Sequence, residues 1–298
     1  MALVVLIGDV ESYQSNFNLI EREIIKGNIE IIATLLTDDD VDYDYLDGNK
    51  VIESLDDVED VEFDYFIVLE NNKIWYSLIP VEYEFKQKII PVRVFRIPQF
   101  DFIKYEKLIK NPPTIISRHC WGGLLYNQLG LKFDSPFINL FLQDSDFNKL
   151  SKNFSHYMSQ ELVFDREEYE HILKRNYPVC KLDDIYLYFN HYTSFEEAKQ
   201  KWDERKKRIN YDNLFFETTT ENRGLALEFD SIPLQHKICF HSGHIDSPNV
   251  IDFSKFMENR QPGTLGMLVN HTGNGRIPYF DIIELLLNFN YAPRIQFK

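Results

Sequence analysis

The chain has 298 residues, of which 44% are hydrophobic and 15% aromatic, so it can bury a sizeable core and is not generally disordered. Its formal net charge of −15 argues against non-specific binding to a nucleic-acid backbone. The three cysteines show no disulfide-framework spacing, which favours a reducing compartment. We therefore expect a soluble, cytoplasmic protein of one large domain or two ordinary ones, with an oligomeric state that the sequence leaves open.

The first half of the chain predicts a Rossmann-like α/β domain over residues 1–112. The run ALVVLIG predicts a buried first strand, and it is too short to cross a membrane. An amphipathic helix follows, with Gly27 as its C-cap, and further strands are predicted in IEIIATLL, DYFIVLE and IIPVRVF. Strands that alternate with helices indicate a parallel sheet.

A change in charge and two prolines predict a boundary between domains. Residues 1–112 carry 23 acidic and 11 basic side chains, whereas the rest of the chain carries 24 and 21. Pro112 and Pro113 interrupt any helix and favour extended backbone. We predict an acidic Rossmann-like domain over residues 1–112 and a larger mixed α/β domain over residues 113–298.

The first strand–helix turn argues against a dinucleotide cofactor. The NAD fingerprint needs three glycines, and only Gly8 is present. Asp9 and Glu11 would also repel a pyrophosphate. The acidic cluster from Asp38 to Asp40 ends the second strand, where a ribose-binding carboxylate would lie, but solvated acidic loops are common. We expect no NAD, NADP or FAD in this domain, and no cofactor elsewhere.

The second half predicts alternating strands and helices in a different pattern. TIIS is a strand that leads into a helix beginning near Trp121, and residues 144–160 form a helix with Ser145 as a possible N-cap. DDIYLYFNHY alternates strictly and predicts a strand that ends near His191. Ser194 and Glu197 have the spacing of a capping box before the next helix. A strand in HKICFHS and a C-terminal helix near Pro278 complete the pattern.

Cys120 is the strongest candidate for a nucleophile. It lies where a predicted strand ends and a helix begins, and the unpaired N–H groups at the start of a helix favour a thiolate. His191 is the best candidate for its general base, with Asp212 or Asn213 to orient the imidazole; His119 is adjacent but points away along an extended strand. The order Cys, His, Asp/Asn is that of papain-like enzymes. The alternative is that Cys120 is a small packing residue and His191 a hydrogen-bonded strand end.

Three residues after the cysteine are candidate substrate contacts. Trp121 offers an aromatic ring beside the thiol, and Gly122 and Gly123 have no side chains, which leaves room for a substrate to approach the backbone. Their N–H groups would also suit an oxyanion.

A basic helix end supplies a candidate anion clamp. Arg205 and Arg208 are three residues apart and share a helix face, and Arg205 continues the apolar stripe through Trp202. Arginine beside tryptophan suits a phosphate together with a sugar or base ring. The alternative is a solvated basic helix end that complements the helix dipole.

The segment CFHSGH is the only place that suggests a metal. Cys239, His241 and His244 are possible zinc ligands, but a fourth ligand at a recognisable spacing is missing, although His271 is available. We therefore predict a strand followed by a polar turn, and no metal.

Two segments of the second half resemble a bacterial family of uncharacterised proteins. They are the Cys-Trp-Gly-Gly stretch in IISRHCWGGLLYNQLGLKFDSPFINLFL and the block from His191 to Asn213, and the likeness extends over roughly residues 113–285. The first half is similar to an N-terminal extension that some members have. The resemblance implies an association with exopolysaccharide or capsule biosynthesis genes, and it adds Asn210 to the candidate substrate contacts. Family members often have asparagine where this chain has His119, which argues against an essential role for that histidine.

We therefore expect an enzyme of bacterial surface-polysaccharide biosynthesis that transfers a glycosyl group or a substituent from an activated or phosphorylated sugar. In this hypothesis Cys120 is the nucleophile, His191 the acid/base and Asp212 its orienting group. A non-catalytic sugar- or nucleotide-binding scaffold is one alternative, and a cysteine hydrolase that uses Cys120 and His191 is another. A nucleic-acid partner is not expected.

Overall fold

A computed structural model describes residues 1–38, 42–58, 60–69, 89–171, 174–257, 261–263, 265–266, 280–289 and 291. These residues form a mixed α/β fold, which confirms the predicted fold class. By the density of contacts the chain divides into two units. Unit 1 comprises Met1–Lys110 and Gln128–Lys132, and unit 2 comprises Asn111–Asn127 and Phe133–Lys298.

Unit 1 is built on a six-stranded sheet. Its strands are β1 (Ala2–Gly8), β2 (Ile29–Leu36), β3 (Tyr45–Leu46), β4 (Asn49–Ile52), β5 (Tyr65–Val68) and β6 (Ile89–Pro91). Their spatial order is β3-β4-β2-β1-β5-β6, and every pair is parallel except β3 with β4. Apolar β-branched runs such as that of β1, which is buried along almost all of its length, are typical of parallel strands covered on both faces.

Helices and short turns connect the strands of unit 1. The elements are α1 (Val10–Ile25), α2 (Phe102–Lys110) and the 3-10 helices Leu55–Val58 and Val92–Arg96. The predicted strand in IIPVRVF was therefore too long, because only its first three residues pair with β5 before the chain turns into the second 3-10 helix. Proline has no N–H to continue the ladder, which accounts for the end of the strand at Pro91.

Two carboxylates occupy the start of α1. The side chain of Asp9 accepts a hydrogen bond from the Ser12 N–H at 2.6 Å, and Asp38 accepts one from the Val10 N–H at 2.8 Å. N–H groups at a helix start are the ones that bind a pyrophosphate, and here they are paired with negative charge. This arrangement supports our prediction that the turn binds no dinucleotide. Asp39 and Asp40 of the acidic cluster lie outside the described residues.

Unit 2 contains two sheets. A parallel sheet has the order β13-β12-β11-β7, and an antiparallel sheet has the order β10-β9-β8. The strands are β7 (Thr114–Ser117), β8 (Val163–Glu170), β9 (Arg175–Leu182), β10 (Ile185–Tyr188), β11 (Leu214–Thr220), β12 (Lys237–His241) and β13 (Val250–Asp252). All four strands of the parallel sheet therefore end at the same edge.

Seven helices of unit 2 lie within the described residues. They are α3 (Trp121–Gln128), α4 (Asp144–Lys152), α5 (Phe154–Ser159), α6 (Phe195–Lys206), α7 (Arg223–Ser231), α8 (Ser254–Met257) and α9 (Ile282–Asn288). Within the described ranges, no helix is both long and apolar enough to cross a membrane.

The helix boundaries show where local signals succeed and fail. Ser194 is confirmed as the N-cap of α6, since its side chain accepts from the Glu197 N–H at 3.2 Å. The Glu197 carboxylate accepts from the Thr193 N–H at 3.1 Å rather than from that of Ser194, so the box is shifted by one residue. The helix predicted over residues 144–160 is instead two helices that meet at Asn153, and its first cap is Gln143 rather than Ser145. Pro278, the predicted start of the last helix, lies outside the described residues.

Candidate functional site

The carboxyl edge of the parallel sheet in unit 2 collects most of its reactive side chains. Ligand sites of open α/β sheets lie at this edge, because loops and helix starts converge there. The residues at or just beyond the strand ends are Arg118, His119 and Cys120 after β7, Glu221 after β11, His241 at β12 and Asp252 at β13. Glu217 lies within β11, in register with Ser117 at the end of β7.

Cys120 and His191 meet beside this edge. The Cys120 Sγ lies 3.5 Å from the His191 Nε2, within the reach of a hydrogen bond that involves sulfur. Cys120 occupies the residue before α3, and its carbonyl accepts the Leu124 N–H at 3.0 Å. Its side chain is partly exposed, whereas Cys180 and Cys239 are buried. The structure therefore brings together the thiol and the imidazole that the sequence singled out.

Buried aromatic residues on both sides hold His191 in place. Phe189 is 1% exposed, and its N–H donates to the Pro178 carbonyl at 3.0 Å. Tyr192 is 4% exposed, and its hydroxyl donates to the Ile138 carbonyl at 2.9 Å. The strand ends at Tyr188, so His191 lies three residues beyond it and its side chain is exposed.

The local environment shifts the pKa of both groups of the pair towards the neutral form. Burial raises the pKa of the Cys120 thiol. Partial desolvation lowers the pKa of His191 although the residue is exposed, the positive charge of Arg175 lowers it further, and Glu170 weakly opposes the shift. The shift of the Cys120 pKa is opposite in direction to the one expected from the helix start, because desolvation is its largest cause. A neutral imidazole can accept the thiol proton, which is the arrangement of a general base with its nucleophile.

Trp121 is a core residue rather than a wall of a cleft. Its side chain is 0% exposed. It stacks or tilts against three aromatic rings with centroids 6.0 to 6.4 Å away, those of Phe215, Phe240 and Phe280. The predicted substrate contact is not available, because the ring anchors the start of α3 in the core of unit 2.

Gly122, the first of the two glycines after Trp121, serves packing. A Cβ added to Gly122 would lie 3.1 Å from side-chain atoms of both Ile115 and Ser117, and one added to Gly123 would lie 3.5 Å from Ile138. The space beside Gly122 is therefore filled by β7. Gly122 permits close approach of α3 to this strand, rather than leaving room for a substrate as predicted.

The predicted anion clamp is occupied by partners within the protein. Trp202 is 1% exposed and belongs to the core. Arg205 is buried, and its Nη1 donates to the Tyr192 hydroxyl at 2.6 Å. Arg208 pairs with Asp134, with 3.1 Å between Nε and Oδ1. The structure does not place either arginine in the space beside Cys120; Arg205 instead braces the residue that follows His191.

Asn210, Asp212 and Asn213 lie at the opposite end of the sheet from Cys120. They precede β11, and the parallel register of β11 with β7 places them beside the amino end of β7, where the Asn213 side chain donates to the Asn111 carbonyl at 3.0 Å. The Asp212 N–H donates to the Asn210 side chain at 3.2 Å. Asp212 therefore does not orient His191, and these residues form a turn that starts the strand.

Glu217 is a buried carboxylate that the sequence analysis missed. It is 0% exposed, and it accepts hydrogen bonds of 2.7 Å from the hydroxyls of Ser117 and Thr219. His119 Nε2 lies 3.8 Å from its Oε1. Burial raises the pKa of Glu217 to about 7, since the two hydroxyls only partly offset desolvation. One signal was present in the sequence, namely a single carboxylate in the otherwise uncharged strand LFFETTT.

An ion pair next to Cys120 was also missed. The Arg118 Nη1 lies 2.8 Å from the Asp144 Oδ1 and donates to the Leu142 carbonyl at 3.3 Å. The Thr220 hydroxyl donates to the other Asp144 oxygen, and the Thr220 carbonyl lies 2.7 Å from the His241 Nδ1. This network links three neighbouring strand ends, so it fixes the shape of the edge on which Cys120 lies.

The predicted zinc ligands do not form a metal site in the described part of the chain. No group of three or more histidine, cysteine or carboxylate side chains is placed to bind a metal there. Cys239 is buried, and burial raises its pKa well above the usual range. His241 bonds to backbone, and His271 lies outside the described residues.

The described residues define a mixed α/β protein with a cysteine–histidine contact at the carboxyl edge of a parallel sheet. Residues 91–287 match the family described as Domain of unknown function (DUF1919), and the chain belongs to this family. It is also similar to an uncharacterised protein of Haemophilus influenzae (strain ATCC 51907 / DSM 11121 / KW20 / Rd), with 31% identity over 191 residues. That similarity covers 62% of this chain and 88% of the relative. Cys120 and His191 both lie in the matched family region.

Proposed function

We propose that the chain is a group-transfer enzyme in which Cys120 is the nucleophile and His191 the general base. The observation that carries the proposal is the distance of 3.5 Å between the Cys120 Sγ and the His191 Nε2 at the carboxyl edge of a parallel sheet. The other two cysteines are buried, so Cys120 is the thiol that a substrate can reach. A thiol with a neutral imidazole beside it suits transfer of an acyl substituent.

The first step forms a thioester. The Cys120 sulfur adds to the carbonyl carbon of an acyl donor, and the thiol proton passes to the His191 Nε2. The oxyanion that results accepts hydrogen bonds from the N–H groups of Gly122 and Gly123 in the first turn of α3, since the Trp121 N–H already donates to the His119 Nδ1 at 3.4 Å. The bond from the acyl carbon to the leaving group then breaks, and His191 returns the proton to the leaving group.

The second step transfers the acyl group. An acceptor hydroxyl adds to the thioester carbon and gives its proton to His191. The carbon–sulfur bond breaks, and the sulfur takes the proton back. An activated or phosphorylated sugar as acceptor would place the enzyme in bacterial exopolysaccharide biosynthesis, the association that the resemblance of the Cys-Trp-Gly-Gly segment implies. This chemistry favours transfer of a substituent over transfer of a glycosyl group.

Water as the acceptor would make the same pair a cysteine hydrolase, since the two functions share the first step. A sugar- or nucleotide-binding scaffold is the competing non-catalytic function, and it requires no acyl adduct on Cys120. We also propose that the protein acts in the cytoplasm, which its three unpaired cysteines support.

The test uses p-nitrophenyl acetate as the acyl donor. We expect a burst of p-nitrophenol and one acetyl group on Cys120, identified by peptide mass spectrometry. His191→Gln should slow the burst about 10²- to 10⁴-fold, the usual contribution of a general base. His156→Gln is the matched control, because His156 is an exposed histidine of the same unit that pairs with Asp183. A Cys120→Ser protein that still forms the burst would contradict the proposal.

A further inference from the structure

Arg175 lies next to the cysteine–histidine pair. It is the first residue of β9, at the tip of the β8–β9 hairpin, where it is in register with Glu170. Its Nη2 donates to the Asn190 carbonyl at 3.4 Å, and Asn190 directly precedes His191. The guanidinium charge acts on His191, whose pKa it helps to lower. A positive group is therefore fixed beside the catalytic base.

The guanidinium of Arg175 has capacity to bind a ligand. Among the described residues, Arg175 has no carboxylate within ion-pair distance, whereas Arg118, Arg166 and Arg208 each have one. Its Nε is buried and has no hydrogen-bond partner within the described part of the chain. Buried polar groups are normally paired, so an unpaired one next to a reactive pair calls for an explanation.

Asn190 shows the complementary feature. Its Oδ1 is also buried and has no hydrogen-bond partner in the described part of the chain. Two neighbouring residues thus present an unused donor and an unused acceptor. A ligand with a negatively charged oxygen and an adjacent hydroxyl would satisfy both, because the guanidinium donates and the amide oxygen accepts.

We infer that Arg175 and Asn190 form the recognition site for an anionic group, phosphate or carboxylate, on the substrate that Cys120 and His191 process. This inference rests on the proposed function and names its substrate class as a hydroxylated small molecule that carries such a group. The bound anion would offset the positive charge that depresses the basicity of His191. Arg175 takes the place of the predicted clamp of Arg205 and Arg208, which are bound to other residues of the chain.

The net charge of the protein makes this inference testable. At −15 the chain repels small anions in general, so any preference of Cys120 for a negative reagent must arise locally. The experiment compares alkylation of Cys120 by iodoacetate and by iodoacetamide, which differ mainly in charge. The rates are read from the Cys120 peptide by mass spectrometry, at low ionic strength.

We expect the ratio of the iodoacetate rate to the iodoacetamide rate to fall about 5- to 10-fold in Arg175→Gln, and to fall less in Arg175→Lys, which keeps the charge. Arg166→Gln is the matched control, since Arg166 belongs to the same hairpin and is bound to Asp165 and Glu168 at the surface. Its ratio should equal that of the unaltered protein. An unchanged ratio in Arg175→Gln would overturn the inference.

Protection experiments identify the anion. Inorganic phosphate or acetate is added before iodoacetamide, and the one that slows alkylation in the unaltered protein but not in Arg175→Gln is the group recognised. Failure of both to protect counts against the site.

Calorimetric titration of phosphate and of acetate into the unaltered protein and into Arg175→Gln is independent of thiol reactivity. If Cys120 reacts with neither reagent, the proposed function fails, while titration still decides whether Arg175 binds an anion. Equal binding heats for the unaltered protein and Arg175→Gln would show that Arg175 does not bind the anion, and would contradict the inference.

Discussion

Ser117 and Glu217 are joined across two parallel strands by a hydrogen bond of 2.7 Å from the serine hydroxyl to the carboxylate. The two residues are 100 positions apart in the chain. Ser117 precedes Cys120 by three residues, and its Oγ also lies 2.9 Å from the His119 carbonyl oxygen, the alternative acceptor of its single proton. The segment that leads to Cys120 is therefore bonded to a buried acid whose protonation depends on pH.

Glu217→Gln should change the pH dependence of stability. The pKa of Glu217 is about 7 in the fold and near 4.5 when unfolded, so the folded state binds the proton more tightly and the free energy of unfolding falls as pH rises between these values. Glutamine carries no charge to desolvate. We expect the variant to gain stability relative to the unaltered protein by about 1 to 3 kcal/mol between pH 4.5 and 8, measured by urea unfolding.

Glu228→Gln is the control of opposite sign for that measurement. Hydrogen bonds from Lys152, and secondly from Asn148, lower the pKa of the half-exposed Glu228 carboxylate. Its contribution to the free energy of unfolding is therefore present above its unfolded pKa and is lost as pH falls. The variant should be less stable than the unaltered protein at neutral pH and equal to it in acid. A Glu217→Gln variant that follows the same trend as Glu228→Gln would show that Glu217 is ionised in the fold.

Gly122→Ala should destabilise the protein, and Gly123→Ala should not. The new methyl group at Gly122 meets Ile115 and Ser117 at 3.1 Å, so α3 or β7 must shift, at a cost of about 1 to 3 kcal/mol. The methyl group at Gly123 makes an ordinary contact of 3.5 Å and gains helix propensity. Unfolding by urea compares the two variants. Equal free energies of unfolding for the two variants would show that a methyl group fits between α3 and β7 at Gly122.

Tyr192→Phe should lower stability and disturb His191. The change leaves the buried Arg205 without its hydroxyl partner and the Ile138 carbonyl without its donor, which costs about 1 to 3 kcal/mol. Because Tyr192 follows His191 directly, the acylation burst should also slow. Tyr186→Phe is the control, since Tyr186 lies in β10 away from this contact. If the Tyr192→Phe variant is as stable as the unaltered protein, the contact between Arg205 and Tyr192 does not stabilise the fold.

Iodoacetamide should label Cys120 well before Cys180 or Cys239, which are 0% exposed. Burial raises the pKa of the Cys120 thiol, so the labelling rate should keep rising with pH above 8 instead of levelling off near neutrality. Peptide mass spectrometry after timed labelling gives the three rates. A labelling rate that stops rising below pH 7 would mean that Cys120 is already a thiolate at neutral pH, and would contradict the assignment of a neutral thiol beside a neutral imidazole.

Local pattern was sufficient for several features. The apolar run of β1, the N-cap at Ser194 and the strand before Cys120 each follow from neighbouring residues, and each is present in the structure. The sequence also singled out Cys120 and His191, but it is the packing of two separate sheets that brings them together, because Cys120 follows β7 of the parallel sheet and His191 follows β10 of the antiparallel sheet. The local pattern of apolar residues did not predict the break at Asn153, where one predicted helix is two in the structure.

Tertiary structure alone decided which polar side chains face the pair. The sequence shows Arg205 and Arg175 as two similar cations, but packing gives Arg205 a tyrosine hydroxyl and sets Arg175 beside His191 with an unpaired Nε. Strand register assigns Glu217 to the edge of Cys120 and Asp212 to the far edge, although only five residues separate them in the chain. The reason is physical: the partner of a buried polar group comes from strand pairing and close packing of distant segments, which no local pattern of residues records.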